Sequence, residues 1–198
     1  LIAATHAGIP TLIAVNKADL QAPFKTAWER LSAYRNLGSH MMGLSLLGNH
    51  ESLAHLQTLL QHKTTLVLGP SGVGKSTLIN RLVPQAQALT QGISRALNSG
   101  KHTTTTTTWY WVDDAKKTAL LDSPGFQSFG LHHIAAQDLV RCMPDLAPHT
   151  QACKFHNCTH VHEPGCGVRQ ALTEKVLDAD RYQRYVEIHA ELSSQRAY

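Results

Sequence analysis

The chain has 198 residues, 42% of them hydrophobic, and a formal net charge of +4 with thirteen histidines. This suits one domain plus a small appendage around a real core, and the mild basic balance permits a nucleic-acid partner without requiring one. No apolar run approaches the roughly 20 residues that span a bilayer, so no membrane segment is expected and a soluble cytoplasmic protein is the default reading.

Leu1 to Gly8 reads as the end of a helix already under way, without an initiating methionine, so upstream sequence is expected. Thr11 to Val15 is a β-branched and apolar run, predicted to be a buried strand ending at Asn16. Ala27 to Leu37 reads as helix, and Met41 to Leu47 as a second apolar stretch of strand length. Over Glu51 to Gln61, Leu53, Leu56, Leu59 and Leu60 recur at helical spacing. Thr64 to Leu68 is another buried strand, followed by a glycine-rich turn. The helix starting near Gly74 puts Leu78, Ile79 and Leu82 on one face and ends by Pro84.

Gln85 to His102 is polar and glycine-containing. Thr103 to Thr108 then lead into Trp109 to Val112, and the turn-like Asp113 to Lys117 precedes Thr118 to Leu121, which predicts a hairpin. Strands alternating with helices give an α/β fold with a mostly parallel sheet. After Gly130 the pattern becomes helical and breaks up around the cysteines. A last helix from Asp180 carries Tyr182, Tyr185, Val186 and His189 on one side. Two domains are expected, at 1–130 and 131–198.

Gly69-Pro70-Ser71-Gly72-Val73-Gly74-Lys75-Ser76, with Thr77 next, fits G-x-x-x-x-G-K-[ST] between a strand and a helix, the context a phosphate loop needs. Its glycines let backbone N–H groups and the helix N-terminus face phosphates. Lys75 is expected to reach the β- and γ-phosphates and the Ser76 hydroxyl to ligate Mg²⁺. Asp122-Ser-Pro-Gly125 follows a strand. Its carboxylate suits Mg²⁺ and Gly125 offers an N–H to a γ-phosphate. Between the two, Thr103 or Thr104 could complete the Mg²⁺ shell when a γ-phosphate is present. The phosphate loop alone does not separate ATP from GTP.

Asn16-Lys17-Ala18-Asp19 matches NKxD after a strand. A carboxylate at Asp19 can accept from guanine N1–H and its amino group, a donor pair adenine does not present. Asn16 and the Lys17 stem would brace the loop and pack on the ring. With the phosphate loop and DxPG, this predicts GTP and GDP as ligands. A P-loop ATPase or kinase with an accidental NKAD is the competing reading. The order is permuted, because NKxD precedes the phosphate loop. Ser45 falls where the second base-contacting loop belongs, although Leu46 and Leu47 depart from its usual Ser-Ala-Lys. Parallel strands need only their crossovers and not a particular starting point.

Cys153, Cys158 and Cys166 crowd together with histidines between them, which favours a metal site over a disulfide framework. The run has the form C-x4-C-x-H-x5-C with His160 as the imidazole, while His156 and His162 compete for that role. Three thiolates and one imidazole suit tetrahedral zinc and leave no open position, so one structural Zn²⁺ is expected. Cys142 stands apart as a core thiol. Lys154, Arg169, Lys175, Arg181 and Arg184 spread positive charge that suits an RNA backbone.

The NKAD–GPSGVGKST–DSPG order, the GKHTTT loop, the phenylalanine of DSPGF and the CKFHNCTHVHEPGC knuckle together resemble the RsgA/YjeQ family of small-ribosomal-subunit-dependent GTPases. The resemblance covers the chain from Asn16 onward. It implies a circularly permuted P-loop GTPase domain followed by a small, mainly helical zinc-binding domain. It also implies GTP hydrolysis stimulated by the 30S subunit late in that subunit's maturation, contact with 16S rRNA, and a monomer. The family begins with an OB-fold that precedes this portion. Ras-like enzymes place a glutamine just after DxxG, where Phe126 stands here, so slow intrinsic hydrolysis is expected. Lys75 and His102 are the expected catalytic residues, His102 as the nearest group to orient water. An RNA-binding assembly module that uses GTP as a timing ligand is the alternative.

Overall fold

The computed structural model describes all residues except 36, 38, 39, 49, 87–106, 124–129 and 195–198. The first half runs α1 (Ile2–His6), β1 (Leu12–Asn16), α2 (Gln21–Arg30), α3 (Ser32–Arg35), β2 (His40–Leu44), α4 (His50–Leu60), β3 (Thr64–Val67) and α5 (Lys75–Leu82). Strands β4 (Thr108–Trp111) and β5 (Ala119–Asp122) follow. Two 3-10 helices, Ala136–Cys142 and Ala147–Ala152, then lead to α6 (Gly167–Thr173) and α7 (Ala179–Ser194). The chain is therefore α/β, with a helical carboxy-terminal segment.

Two elements depart from the expected boundaries, each for a local reason. The helix predicted over 27–37 instead starts at Gln21 and is split after Arg30. Pro23 sits in its first turn, where the missing N–H would have had no intrahelical partner. The strand predicted over 41–47 stops at Leu44. There Ser45 leaves the ladder, its N–H donating to Ser52 Oγ (3.2 Å) and its hydroxyl to Asp19 (2.7 Å).

The described residues form two compact units, one of 14–28 with 42–129 and the other of 1–13, 29–41 and 130–198. In the first, β5 is the central strand of three. It pairs in parallel with β3, from Thr64↔Ala119 to Val67↔Asp122, and antiparallel with β4, from Thr108↔Asp122 to Trp111↔Ala119. The Asp113 carboxylate closes the hairpin, accepting from the N–H groups of Lys117 (3.0 Å) and Thr118 (2.7 Å). Leu120 and Tyr110 are buried on one sheet face, as are Ile79 and Leu82 of α5. Amphipathic α4 buries Leu53, Leu56 and Leu60, each contributing about 1.5–3 kcal/mol relative to exposure. Strands β1 and β2 pair with each other.

In the second unit, the 3-10 helices and the last two helices share a core of Leu139, Met143, Leu146, Val168 and Tyr185. One charged pair is nearly enclosed with it. Arg181 donates from Nε (2.7 Å) and Nη2 (2.9 Å) to the two carboxylate oxygens of Asp145, while its guanidinium lies over the Tyr34 ring. Removing one member of such a pair leaves the other charge buried and unpaired. Asp145→Ala is expected to lower stability by about 3–5 kcal/mol. Urea unfolding followed by circular dichroism measures this, and a loss below 1 kcal/mol would contradict the pair's enclosure.

Candidate functional site

The turn between β3 and α5 carries the G-x-x-x-x-G-K-[ST] sequence from Gly69 to Ser76. Gly72 (φ 79°) and Gly74 (φ 103°) adopt the left-handed conformation that glycine takes without strain. A Cβ at Gly74 would collide with Asn16 Nδ2 and touch Leu46. Lys75, the first residue of α5, donates from Nζ to the carbonyls of Gly69 (2.6 Å) and Pro70 (3.0 Å). Two of its three N–H bonds thus hold the loop, and no described residue is seen to take the third. Ser76 and Thr77 are exposed in the first turn of α5, where backbone N–H groups have no intrahelical partner. Pro70, Ser71 and Val73 are exposed in the same turn.

Asp122 closes β5 beside Val67, so its carboxylate and the phosphate loop leave adjacent parallel strands at one level. Burial pushes the Asp122 carboxyl above its usual range, against the opposing pull of the Lys75 ammonium. A cation bound there would relieve that burial cost.

The NKAD segment meets the phosphate loop directly. Asn16 Nδ2 donates to the Val73 carbonyl (2.8 Å), 57 positions away in the chain, and Asn16 Oδ1 is buried with no partner among the described residues. Lys17 is left-handed (φ 65°), an uncommon conformation for a residue with a Cβ. The Ala18 N–H donates to the Leu44 carbonyl (3.0 Å), pinning the segment to the end of β2. The Ser45 hydroxyl donates to Asp19 Oδ1 (2.7 Å) and accepts from the Gly48 N–H (3.1 Å). Ser45 therefore stands beside Asp19 despite the unusual Leu46 and Leu47. Asp19, Ser45, Gly48 and Phe24 line a cavity of about 490 Å³, within the size range of small-molecule sites. Ser52 and Phe24 carry no sequence signal for this role. Ser52 is brought in by the hydrogen bond it accepts from the Ser45 N–H (3.2 Å), and Phe24 by its place against Gly43.

Cys153, Cys158, His160 and Cys166 converge, their ligand atoms all within 4.8 Å of one another. His160 Nδ1 lies 3.4 Å from Cys153 Sγ and 3.5 Å from Cys166 Sγ, and these two sulfurs are 3.9 Å apart. A tetrahedral zinc with Zn–S of about 2.3 Å and Zn–N of about 2.0–2.1 Å separates its ligand atoms by roughly 3.5–3.8 Å. The donor set fits such an ion. Burial pushes the Cys158 thiol up to about 12, with Cys166 and Cys153 adding to the shift, so a cation is what would favour its thiolate. Among the competing histidines, His162 and His156 are exposed. Cys142 is buried and 3.7 Å from His6 Nδ1, apart from the cluster.

The knuckle also has supports that spacing does not reveal. Glu163 Oε1 accepts from the Thr159 N–H (3.0 Å) and hydroxyl (2.6 Å), and Oε2 from the His162 N–H (3.3 Å). Burial would raise this carboxyl, but those hydrogen bonds hold it down to about 2. The Tyr185 hydroxyl donates to the Thr159 carbonyl (2.7 Å) and that of Tyr182 to the His160 carbonyl (2.8 Å). Of the remaining sequence candidates, His102, Thr103, Thr104 and Gly125 lie outside the described residues.

A family model described as RsgA GTPase matches residues 1–132. A protein of Variovorax paradoxus (strain S110) named small ribosomal subunit biogenesis GTPase RsgA is 56% identical over 201 residues, covering 99% of this chain and 63% of that protein. The protein of the same name from Bordetella pertussis is 44% identical over 198 residues, covering 100% of this chain and 66% of its own length. Among solved structures, YloQ, described as a circularly permuted GTPase, superposes with a TM-score of 0.73 at 28% identity, over 98% of this chain and 61% of its own. YjeQ from Thermotoga maritima gives 0.72 at 26% identity, over 96% of this chain and 63% of its own. The chain thus spans just under two thirds of the curated relatives it matches.

The close approach at Gly74 generates a structural prediction. Gly74→Ala places a Cβ both at a left-handed φ and against Asn16 Nδ2, so the Asn16–Val73 hydrogen bond should break. Strain of this kind costs about 1–3 kcal/mol. The loss should appear in urea unfolding and as a shifted Asn16 side-chain amide signal in NMR. An unshifted signal would show that Asn16 does not abut this glycine.

Proposed function

Because the chain belongs to the RsgA GTPase family, we propose that it is the GTP-binding and metal-knuckle portion of a GTPase acting in small ribosomal subunit biogenesis. The observation that carries this reading is the Asn16–Val73 hydrogen bond. It joins a guanine-reading segment to a phosphate loop in the permuted order. The family-model match to 1–132 supports a GTPase domain at 1–130 and a knuckle domain at 131–198, whereas packing groups 1–13 and 29–41 with the latter.

In this reading Asp19, steadied by Ser45, accepts from guanine N1–H and its amino group, with Asn16 and Lys17 bracing the base. Gly69 to Thr77 wrap the phosphates, and Lys75 gives its third N–H to a β- or γ-phosphate oxygen. Ser76 and Asp122, with Thr103 or Thr104, hold Mg²⁺, which when bound neutralises charge developing on the phosphates. The Gly125 N–H meets the γ-phosphate and His102 orients the attacking water. Phe126 has no polar group for that task, which agrees with a slow reaction that waits for its partner. Cys153, Cys158, His160 and Cys166 hold one structural zinc. The partner is the 30S subunit through 16S rRNA, approached by a monomer in the cytoplasm. No described helix is long and apolar enough to cross a membrane.

Two measurements test this. Asp19→Asn exchanges one acceptor for a donor facing the guanine donor pair, so GDP affinity should fall about 10- to 100-fold. ADP binding should stay weak in both proteins, and equal GDP and ADP affinities in the parent would sink guanine specificity. Phosphate release from GTP should be slow alone and accelerate with purified 30S subunits. A full-length protein that the subunit does not stimulate would favour a timing ligand over a ribosome-coupled hydrolase.

A further inference from the structure

His160 is the ligand with the most demanding backbone. It is buried and left-handed (φ 62°), a conformation that costs a non-glycine residue about 1–2 kcal/mol. Something must hold it there for Nδ1 to stand 3.4–3.5 Å from two sulfurs. Its neighbouring peptides are gripped from two sides. On one side the Tyr185 and Tyr182 hydroxyls hold the carbonyls of Thr159 and His160. On the other, Glu163 takes the Thr159 N–H, the Thr159 hydroxyl and the His162 N–H. One carboxylate thus fixes the residues on both sides of the histidine. Its carboxylate is also near the His162 ring, whose Nε2 lies 3.9 Å from Oε1, and Cys158 Sγ, 3.7 Å from Oε2, so the same group borders a second ligand. The Glu163 side chain is only 18% exposed, which strengthens these contacts relative to a solvated carboxylate.

We propose that Glu163 is the positioning residue of the metal site, holding Thr159 and His162 so that His160 is already turned towards Cys153 and Cys166 when the ion arrives. This rests on the reading of the knuckle as a zinc site. Glu163 is not a fifth ligand. The hydrogen bonds it accepts occupy both its oxygens, and three sulfurs with one imidazole complete a tetrahedron. Its contribution is the geometry of the loop in the absence of the ion. Groups that orient metal ligands in this way commonly change affinity 10- to 100-fold when removed.

The experiment measures zinc affinity of the whole chain by competition with a chromophoric chelator, and Co²⁺ absorption spectra of the same proteins. The parent should bind one ion, with Co²⁺ bands typical of a tetrahedral three-sulfur, one-nitrogen site. Glu163→Ala should raise the zinc dissociation constant about 10- to 100-fold, with the Co²⁺ bands unmoved because the ligands are the same. Thr159→Val removes one hydroxyl donor while keeping the carboxylate. It should weaken zinc in the same direction, and the double substitution should cost less than the sum of the two. If Glu163→Ala does not fold, the Thr159→Val affinity decides, and a parent-like value there overturns the proposal. Affinity within twofold of the parent in Glu163→Ala overturns it too, as do shifted Co²⁺ bands, which would make Glu163 a ligand. A parent that binds no zinc removes the metal reading itself, which separates the two failures.

Discussion

A single side-chain amide ties the NKAD segment to the glycine-rich turn before α5. Asn16 reaches 57 positions along the chain to the Val73 carbonyl, and it can do so only because Gly74 has no side chain in its way. That contact makes the permuted order workable. NKAD precedes the glycine-rich turn in sequence, yet one hydrogen bond registers them in space. Two strand ends then complete the arrangement, β5 delivering Asp122 beside the end of β3. Topology fixes which strands are neighbours, and the starting point of the chain does not enter.

The candidate residues were legible because their motifs are written in short spacings. The phosphate loop needs its glycines and Lys75 within one turn, NKAD is four consecutive residues, and the knuckle ligands fall between 153 and 166. The choice of His160 over His156 and His162 was open from spacing, and it is burial that separates them. What could not be read was support from a distance. Ser52 holds the Ser45 N–H from the first turn of α4, and Tyr182 and Tyr185 read as an apolar stripe although their hydroxyls grip the knuckle. Element ends failed where a side chain outbid the ladder, as at Ser45, or where a proline fell in a first turn, as at Pro23.

The knuckle loop sets two acidic groups in opposite surroundings. Burial and neighbouring thiols push Cys158 up to about 12, while hydrogen bonds bring Glu163 down to about 2. The carboxylate therefore keeps its charge by means of the loop itself, whereas the thiol needs an outside cation to give up its proton. The loop's hydrogen-bonding frame and a bound cation would be complementary, each supplying what the other lacks.

The pairing of Thr108 with Asp122 works as a ruler. A slip of one residue would turn Tyr110 out of the core, so the alignment admits no fine adjustment, only a two-residue jump of about 6.8 Å. The chain thus enters β4 at the Asp122 end of the sheet and turns back at the far end, at Asp113. The hairpin tip and Asp122 are separated by the full length of two locked strands, which act as a rigid spacer between them.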